Sequence, residues 1–218
     1  MNTQAKKGFT LLELLIVIAV IAVLSAVLVI VINPTETLQK SRDSQRISDL
    51  ATMKSAFGMY LTTTSSPQLA GAANVNCLGG ASPKVYLSVP TSTASTTSAV
   101  VTGFTAGFYQ SASVASSTVT DGTGWIPVNF NSITGGSPIS NLPIDPTNTM
   151  SAAGSLTNSD LMYRYACKAS PVSYEINAKL ESTEYTTNDN RGSKDGGNNA
   201  TLYEVGTDLT ILPSTNDF

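Results

Sequence analysis

Glu13 is a carboxylate set in an otherwise apolar run. From Phe9 to Ile32 the chain reads FTLLELLIVIAVIAVLSAVLVIVI, in which only Thr10, Glu13 and Ser25 are polar. A charge inside hydrocarbon costs about 3 kcal/mol on insertion scales and marks a functional position by default. Two readings follow from the residues. Glu13 stays hydrated near an interface, because it lies close behind Lys7, or it pairs with a positive group and so removes two isolated charges from an apolar interior.

Other candidate chemistry lies further along. Cys77 and Cys167 are the two cysteines. They form a disulfide or stay as separate thiols, and an oxidising compartment favours the disulfide. Residues 181–199, ESTEYTTNDNRGSKDGGNN, crowd oxygen-bearing side chains among glycines: Glu181, Glu184, Asn188, Asp189, Asn190, Asp195, Asn198 and Asn199. Calcium takes flexible oxygen ligands of this kind, although the spacing is not that of an EF-hand. The same residues also make an ordinary solvated turn. Asp121 and Asp145 have the chemistry for acid/base work, but sit in no recognisable paired constellation.

Composition excludes much else. Histidine is absent from the 218 residues, which removes Ser-His-Asp and Cys-His nucleophiles and His-ligated zinc. Two cysteines cannot build an all-cysteine zinc site or hold an iron–sulfur cluster within one chain. Neither G-x-S-x-G nor G-x-x-x-x-G-K-[ST] occurs in the sequence. Charged residues make up 12% and the net charge is −3, so no broad basic surface for nucleic acid is expected. No enzymatic activity and no required cofactor are expected.

These residues need elements to position them. As a helix, Phe9–Ile32 spans roughly 36 Å, enough for a hydrocarbon core of about 30 Å. Lys6 and Lys7 place its N-terminus in the cytoplasm by the positive-inside rule, with the remainder outside. Asn33-Pro34 should break the helix. Over 35–62, Ile47, Leu50, Met53, Phe57, Tyr60 and Leu61 recur at helical spacing. Thr35 is the expected cap, and Lys40, Arg42, Asp43, Arg46, Asp49 and Lys54 the polar faces. Ser65-Ser66-Pro67 should end this helix.

Beyond it, Ser88–Thr123 is rich in Ser and Thr, with Val100, Val101, Phe104, Phe108, Tyr109, Val114 and Val119 scattered through it, which suggests short strands or extended loops. Strands are expected at 125–130, 161–167, 172–178, 202–205 and 209–212, with an edge at Pro127 and a hairpin turn at Lys168–Pro171. The fold class is α+β: a long N-terminal helix carrying a head with an antiparallel sheet.

The apolar run has three readings: a single-pass anchor, a secretory signal, or a signal cut before the run. It is too long for a secretory signal and no clear A-x-A site follows. A short basic leader, then Gly8-Phe9-Thr10-Leu11-Leu12-Glu13, then an unbroken apolar helix resembles the class III signal of type IV pilins and of the major pseudopilins of type II secretion. Three later patches are also similar to pilins: Leu142-Pro143-Ile144-Asp145-Pro146, Tyr163-x-Tyr165 and Tyr174-x-x-x-Ala178-x-Leu180-Glu181. A departure is the lack of a proline within the apolar stretch.

The resemblance implies cleavage between Gly8 and Phe9 by a prepilin peptidase, N-methylation of Phe9, and pairing of Glu13 with the Phe9 amine of its own chain or a neighbour. It divides the chain into a leader at 1–8, a membrane and filament-core helix at 9–32, an amphipathic helix at 33–64 and an extracytoplasmic head at 65–218. It implies storage in the bacterial cytoplasmic membrane, then a homo-oligomeric filament at the cell surface or in the periplasm, built by an assembly platform and a separate ATPase. It also implies calcium in a comparable C-terminal loop, with Glu181, Asp189 and Asp195 as candidate ligands. The rival reading is a membrane-anchored extracytoplasmic binding or adhesion domain.

Overall fold

The computed structural model describes residues 8–89, 117–149 and 159–214. The leader lysines and the extended segments expected around Val100, Val101, Phe104, Phe108, Tyr109 and Val114 lie outside the described residues. Two compact units are formed, Met1–Gln39 and Lys40–Phe218.

In the first unit, helix α1 runs over Leu11–Ile32. Its leucines, isoleucines and valines are apolar all round, and Leu11–Leu28 is long and apolar enough to cross a membrane, with none of it buried in the protein. Asn33 ends the helix in the left-handed region, at φ 42° and ψ 77°. Asparagine tolerates that conformation better than most residues. Pro34 then opens α2, Pro34–Thr63, at the first helical position, where a missing donor is harmless. The cap is Asn33 rather than the expected Thr35: Glu36 N donates to Asn33 Oδ1, and Thr37 N donates to the Asn33 carbonyl. Proline at 34 commits the chain to helix one residue before Thr35 can act.

In the second unit, α2 from Lys40 onward buries Leu50, Met53, Ala56, Phe57 and Tyr60. These follow the helical period read from the sequence. The helix stops at Thr63, just before Ser65-Ser66-Pro67. Four antiparallel strands form one sheet in the order β1-β2-β3-β4: Tyr86–Leu87, Tyr163–Ala169, Val172–Ala178 and Tyr203–Gly206. β2 and β3 make the expected hairpin, with Ala169 opposite Val172 across two turn residues.

Side chains alternate between the faces of a strand. Tyr86, Tyr163, Tyr165, Cys167, Tyr174, Ile176, Ala178 and Val205 form one core with the apolar stripe of α2. Leu87 and Ala166 point to the opposite face and pack with Met162, Leu202, Ile211 and Leu212 in a second cluster. Both faces of the sheet are therefore covered.

Two expected strands are absent. Residues 125–130 form bends and the start of a 3₁₀ turn, Phe130–Ser132, with only an isolated Asp121–Asn129 bridge. Ile126, Val128 and Phe130 are buried in alternation with Pro127 and Asn129, but Pro127 removes a ladder donor and the Phe130 amide donates to the Thr120 carbonyl instead of into the sheet. Residues 209–212 form a turn, because the Ile211 and Leu212 amides donate to the carboxylate of Glu175 instead of to a neighbouring strand.

Candidate functional site

Gly8 and Phe9 precede α1. A Cβ at Gly8 would meet no atom within 4 Å, and Phe9 is 91% exposed. The peptide between them is open to an enzyme cleft. Thr10 caps α1 reciprocally with Glu13. The Glu13 amide donates to Thr10 Oγ1 at 3.2 Å, while Glu13 Oε2 accepts from Thr10 N at 2.8 Å and from Thr10 Oγ1 at 2.9 Å. This is the S/T-x-x-E box that satisfies orphan amides at a helix start. The signal was present in the sequence as Thr10-x-x-Glu13, beneath the reading of Glu13 as a lone charge. The carboxylate thus sits at the positive end of the helix dipole, one turn from Phe9.

The head contains an ionic cluster that periodicity did not reveal. Asp43 and Arg46, expected on polar faces of α2, are wholly buried. Arg46 Nε and Nη2 donate to Asp145 at 2.6 and 2.9 Å, and Nη1 donates to Asp43 at 2.8 Å and to Glu181 at 2.6 Å. Arg42 adds a two-pronged grip on Glu181 at 2.8 and 3.0 Å. Asp43 also accepts from the amides of Glu181 and Ser182. Asp145 and Glu181 belong to two of the pilin-like patches, and the third reaches the same helix: Tyr163 Oη donates to Asp49 at 2.8 Å. All three patches therefore dock on α2.

These groups are fastened rather than poised for catalysis. Burial alone would raise the Glu181 carboxyl, but hydrogen bonds from Arg42 and Arg46 outweigh that and hold it below its usual range. Asp121 is exposed and accepts from Thr123, whose hydroxyl and amide lower it, whereas Asp145 is committed to Arg46. The structure does not bring the two together as an acid/base pair.

Cys77 and Cys167 form a disulfide with a sulfur–sulfur distance of 2.04 Å. The three proposed calcium ligands have separate partners. Glu181 engages Arg42 and Arg46, Asp189 engages Arg191 and Lys194, and Asp195 accepts from the amides of Gly197 and Glu204. Among the described residues no group of three His, Cys, Asp or Glu side chains is arranged to hold a metal.

Residues 3–29 match the family described as the prokaryotic N-terminal methylation motif. No curated protein and no solved structure matches the chain. The matched residues end inside α1 and include Gly8, Phe9, Thr10 and Glu13. With the apolar helix, they fit a prepilin-like protein carrying a class III signal, and the α+β arrangement of helix and four-stranded sheet is pilin-like.

Proposed function

We propose, from this N-terminal methylation motif, that the chain is a structural subunit of an extracytoplasmic filament, either a type IV pilus or a type II secretion pseudopilus. A prepilin peptidase cuts between Gly8 and Phe9 and the new Phe9 amine is methylated. The subunit waits in the cytoplasmic membrane with its head outside. An assembly platform and its ATPase then move α1 from lipid into a core of like helices. Head-to-tail contacts that do not close extend the filament. Glu13 pairs there with a Phe9 amine, which compensates both charges in an apolar setting.

The observation that carries this reading is the coincidence of the motif at 3–29 with a long apolar helix, unburied over Leu11–Leu28 and carrying one carboxylate. Ordinary signal removal would discard that helix, whereas a cut at Gly8 keeps it.

Mass spectrometry of the mature N-terminus, taken from sheared surface material and from membranes, tests it. A chain beginning at methylated Phe9 in the sheared fraction supports a pilus subunit. The same terminus confined to membranes supports a pseudopilus subunit. Retention of Met1 in cells with a working peptidase would reject both and leave a membrane-anchored extracytoplasmic domain.

A further inference from the structure

The segment that follows β3 turns back beside the start of β4 and encloses a cavity of about 150 Å³. Lys179, Tyr185, Thr186, Asn190 and Tyr203 are among its walls, and no carboxylate lines it among the described residues. Gly192 lets the wall close, since a Cβ there would collide with the carbonyls of Leu202 and Ala200. Such a space equals the share of about five waters in the liquid, which is room for one phosphate group.

Lys179 sets the chemistry of the cavity. Its ammonium donates to the Thr201 carbonyl at 3.3 Å, and an ammonium has three donors, so two remain. Among the described residues no carboxylate lies within ion-pair distance of it. Burial pulls the Lys179 ammonium below its ordinary range, and the buried Arg164 guanidinium adds to the effect. An anion in the cavity would relieve both. The Asn190 side-chain oxygen accepts from Ser193 N, which leaves its amino group to donate.

The rim is cationic. Lys40 lies 5.8 Å and Arg191 5.5 Å from the centre of the Tyr185 ring. Lys40, Arg191 and Lys194 are exposed, whereas the nearby acids are half-buried and engaged. Glu184 accepts from Asn188, Asp189 binds Arg191 and Lys194, and Asp195 accepts from Gly197 N and Glu204 N. The charge presented outward is therefore positive, on a chain whose net charge is −3.

The occupant follows from where the chain is tied. Lys40 comes eight residues after Ile32, the last residue of the apolar helix α1. Even fully extended, that stretch spans no more than about 29 Å. With α1 in a bilayer, the headgroup layer is a standing neighbour of this corner, at the effective concentration that a short tether gives. Tyrosine, lysine and arginine are side chains suited to that layer.

We propose that this corner of the head docks on anionic phospholipid: a headgroup phosphate enters the cavity and accepts from Lys179, while Lys40, Arg191 and Lys194 lie against neighbouring headgroups around Tyr185. The inference rests on the membrane-stored subunit proposed above. Docking steadies the head of the stored subunit, and assembly must break it.

The test uses the full chain in lipid nanodiscs, made of phosphatidylcholine alone or of phosphatidylcholine mixed with phosphatidylglycerol. Hydrogen–deuterium exchange is read over α1 and over residues 179–203. Each cation held near an anionic surface is worth about fivefold in equilibrium. Exchange over 179–203 should therefore slow at least fivefold with phosphatidylglycerol, and high salt should abolish the difference. Lys179→Gln should weaken this protection about fivefold. If that variant fails to fold, Lys194→Gln alters an exposed position and should act in the same direction. Equal exchange in the two discs, with α1 shielded in both, would overturn the inference and leave the membrane reading standing. An unshielded α1 would overturn both. Equal protection by inorganic phosphate in a neutral detergent would make the cavity a site for free phosphate and overturn lipid docking. Protection that grows with the number of chains per disc would assign the surface to a second copy and overturn it as well.

Discussion

Arg46 holds Asp145 through both Nε and Nη2, and neither side chain is exposed. The pair joins α2 to the turn that follows Leu142-Pro143-Ile144, with Thr147 N and Asn148 N donating to the same Asp145 oxygen. Asp145→Ala would leave a buried guanidinium short of its main counter-charge. Breaking a buried pair from one side costs about 3–5 kcal/mol. Asp43 and Glu181 still bind Nη1, so the lower end is expected here. Urea unfolding of the full chain in detergent measures it. Arg46→Lys should also destabilise, because an ammonium cannot reproduce the fork.

Glu181 gives the acid limb of the stability curve. Its carboxyl is held below its ordinary value of 4.5, so the folded state binds fewer protons than the unfolded state in that range. Its contribution is present above about pH 4.5 and is lost as pH falls through the lowered value. Glu181→Gln should flatten unfolding midpoints recorded between pH 5 and pH 3 and should leave the alkaline limb untouched.

Phe57 is fully buried at the centre of the aromatic core. Its ring stacks on Tyr174 at 4.1 Å and meets Phe130 edge-on at 5.2 Å. Phe57→Ala removes the contacts of both rings and leaves a cavity, at a cost of about 3–5 kcal/mol. Phe57→Leu should cost less, because it restores part of the volume. Denaturant midpoints rank the two.

The Cys77–Cys167 bridge closes a separation of 90 residues. Chain-entropy arithmetic assigns such a loop about 4–5 kcal/mol. Backbone bonds beside the bridge, Leu78 N to the Cys167 carbonyl and Ala169 N to the Leu78 carbonyl, still align the two ends after reduction. The double Cys→Ser variant should therefore fold with a lower unfolding midpoint. Thiol labelling of the denatured protein should find two thiols only after reduction.

The sequence showed what periodicity can carry. The stripe Leu50, Met53, Phe57, Tyr60 and the hairpin at 168–171 are local patterns, and both occur in the structure. It did not show which polar residues turn inward. Asp43 and Arg46 look like any charged helix face until Asp145 and Glu181 arrive from 99 and 135 residues away. Leu209-Thr210-Ile211-Leu212 reads as a strand for the same reason: its partner is a side chain, Glu175, rather than a strand edge. Thr10-x-x-Glu13 was legible as a cap, but the cost of the charge drew the reading elsewhere.

The capping of α1 by Glu13 and its proposed role in assembly can be separated by substitution. Its side chain closes the capping box with Thr10, and its charge is available to a Phe9 amine. Glu13→Gln keeps an oxygen for the Thr10 donors but removes the charge, whereas Glu13→Ala removes both. Loss of a cap costs about 1 kcal/mol of local helix stability. An amine left uncompensated in an apolar core costs about 3 kcal/mol on insertion scales, which is more than tenfold in an assembly constant. Both variants should still be cut at Gly8–Phe9, since that peptide lies outside α1. Both should lose filament, and to a similar degree, because the charge outweighs the cap. Immunoblots of sheared and membrane fractions read processing and yield together. Full filament yield from Glu13→Gln, with loss only in Glu13→Ala, would assign Glu13 to the helix cap and remove it from assembly.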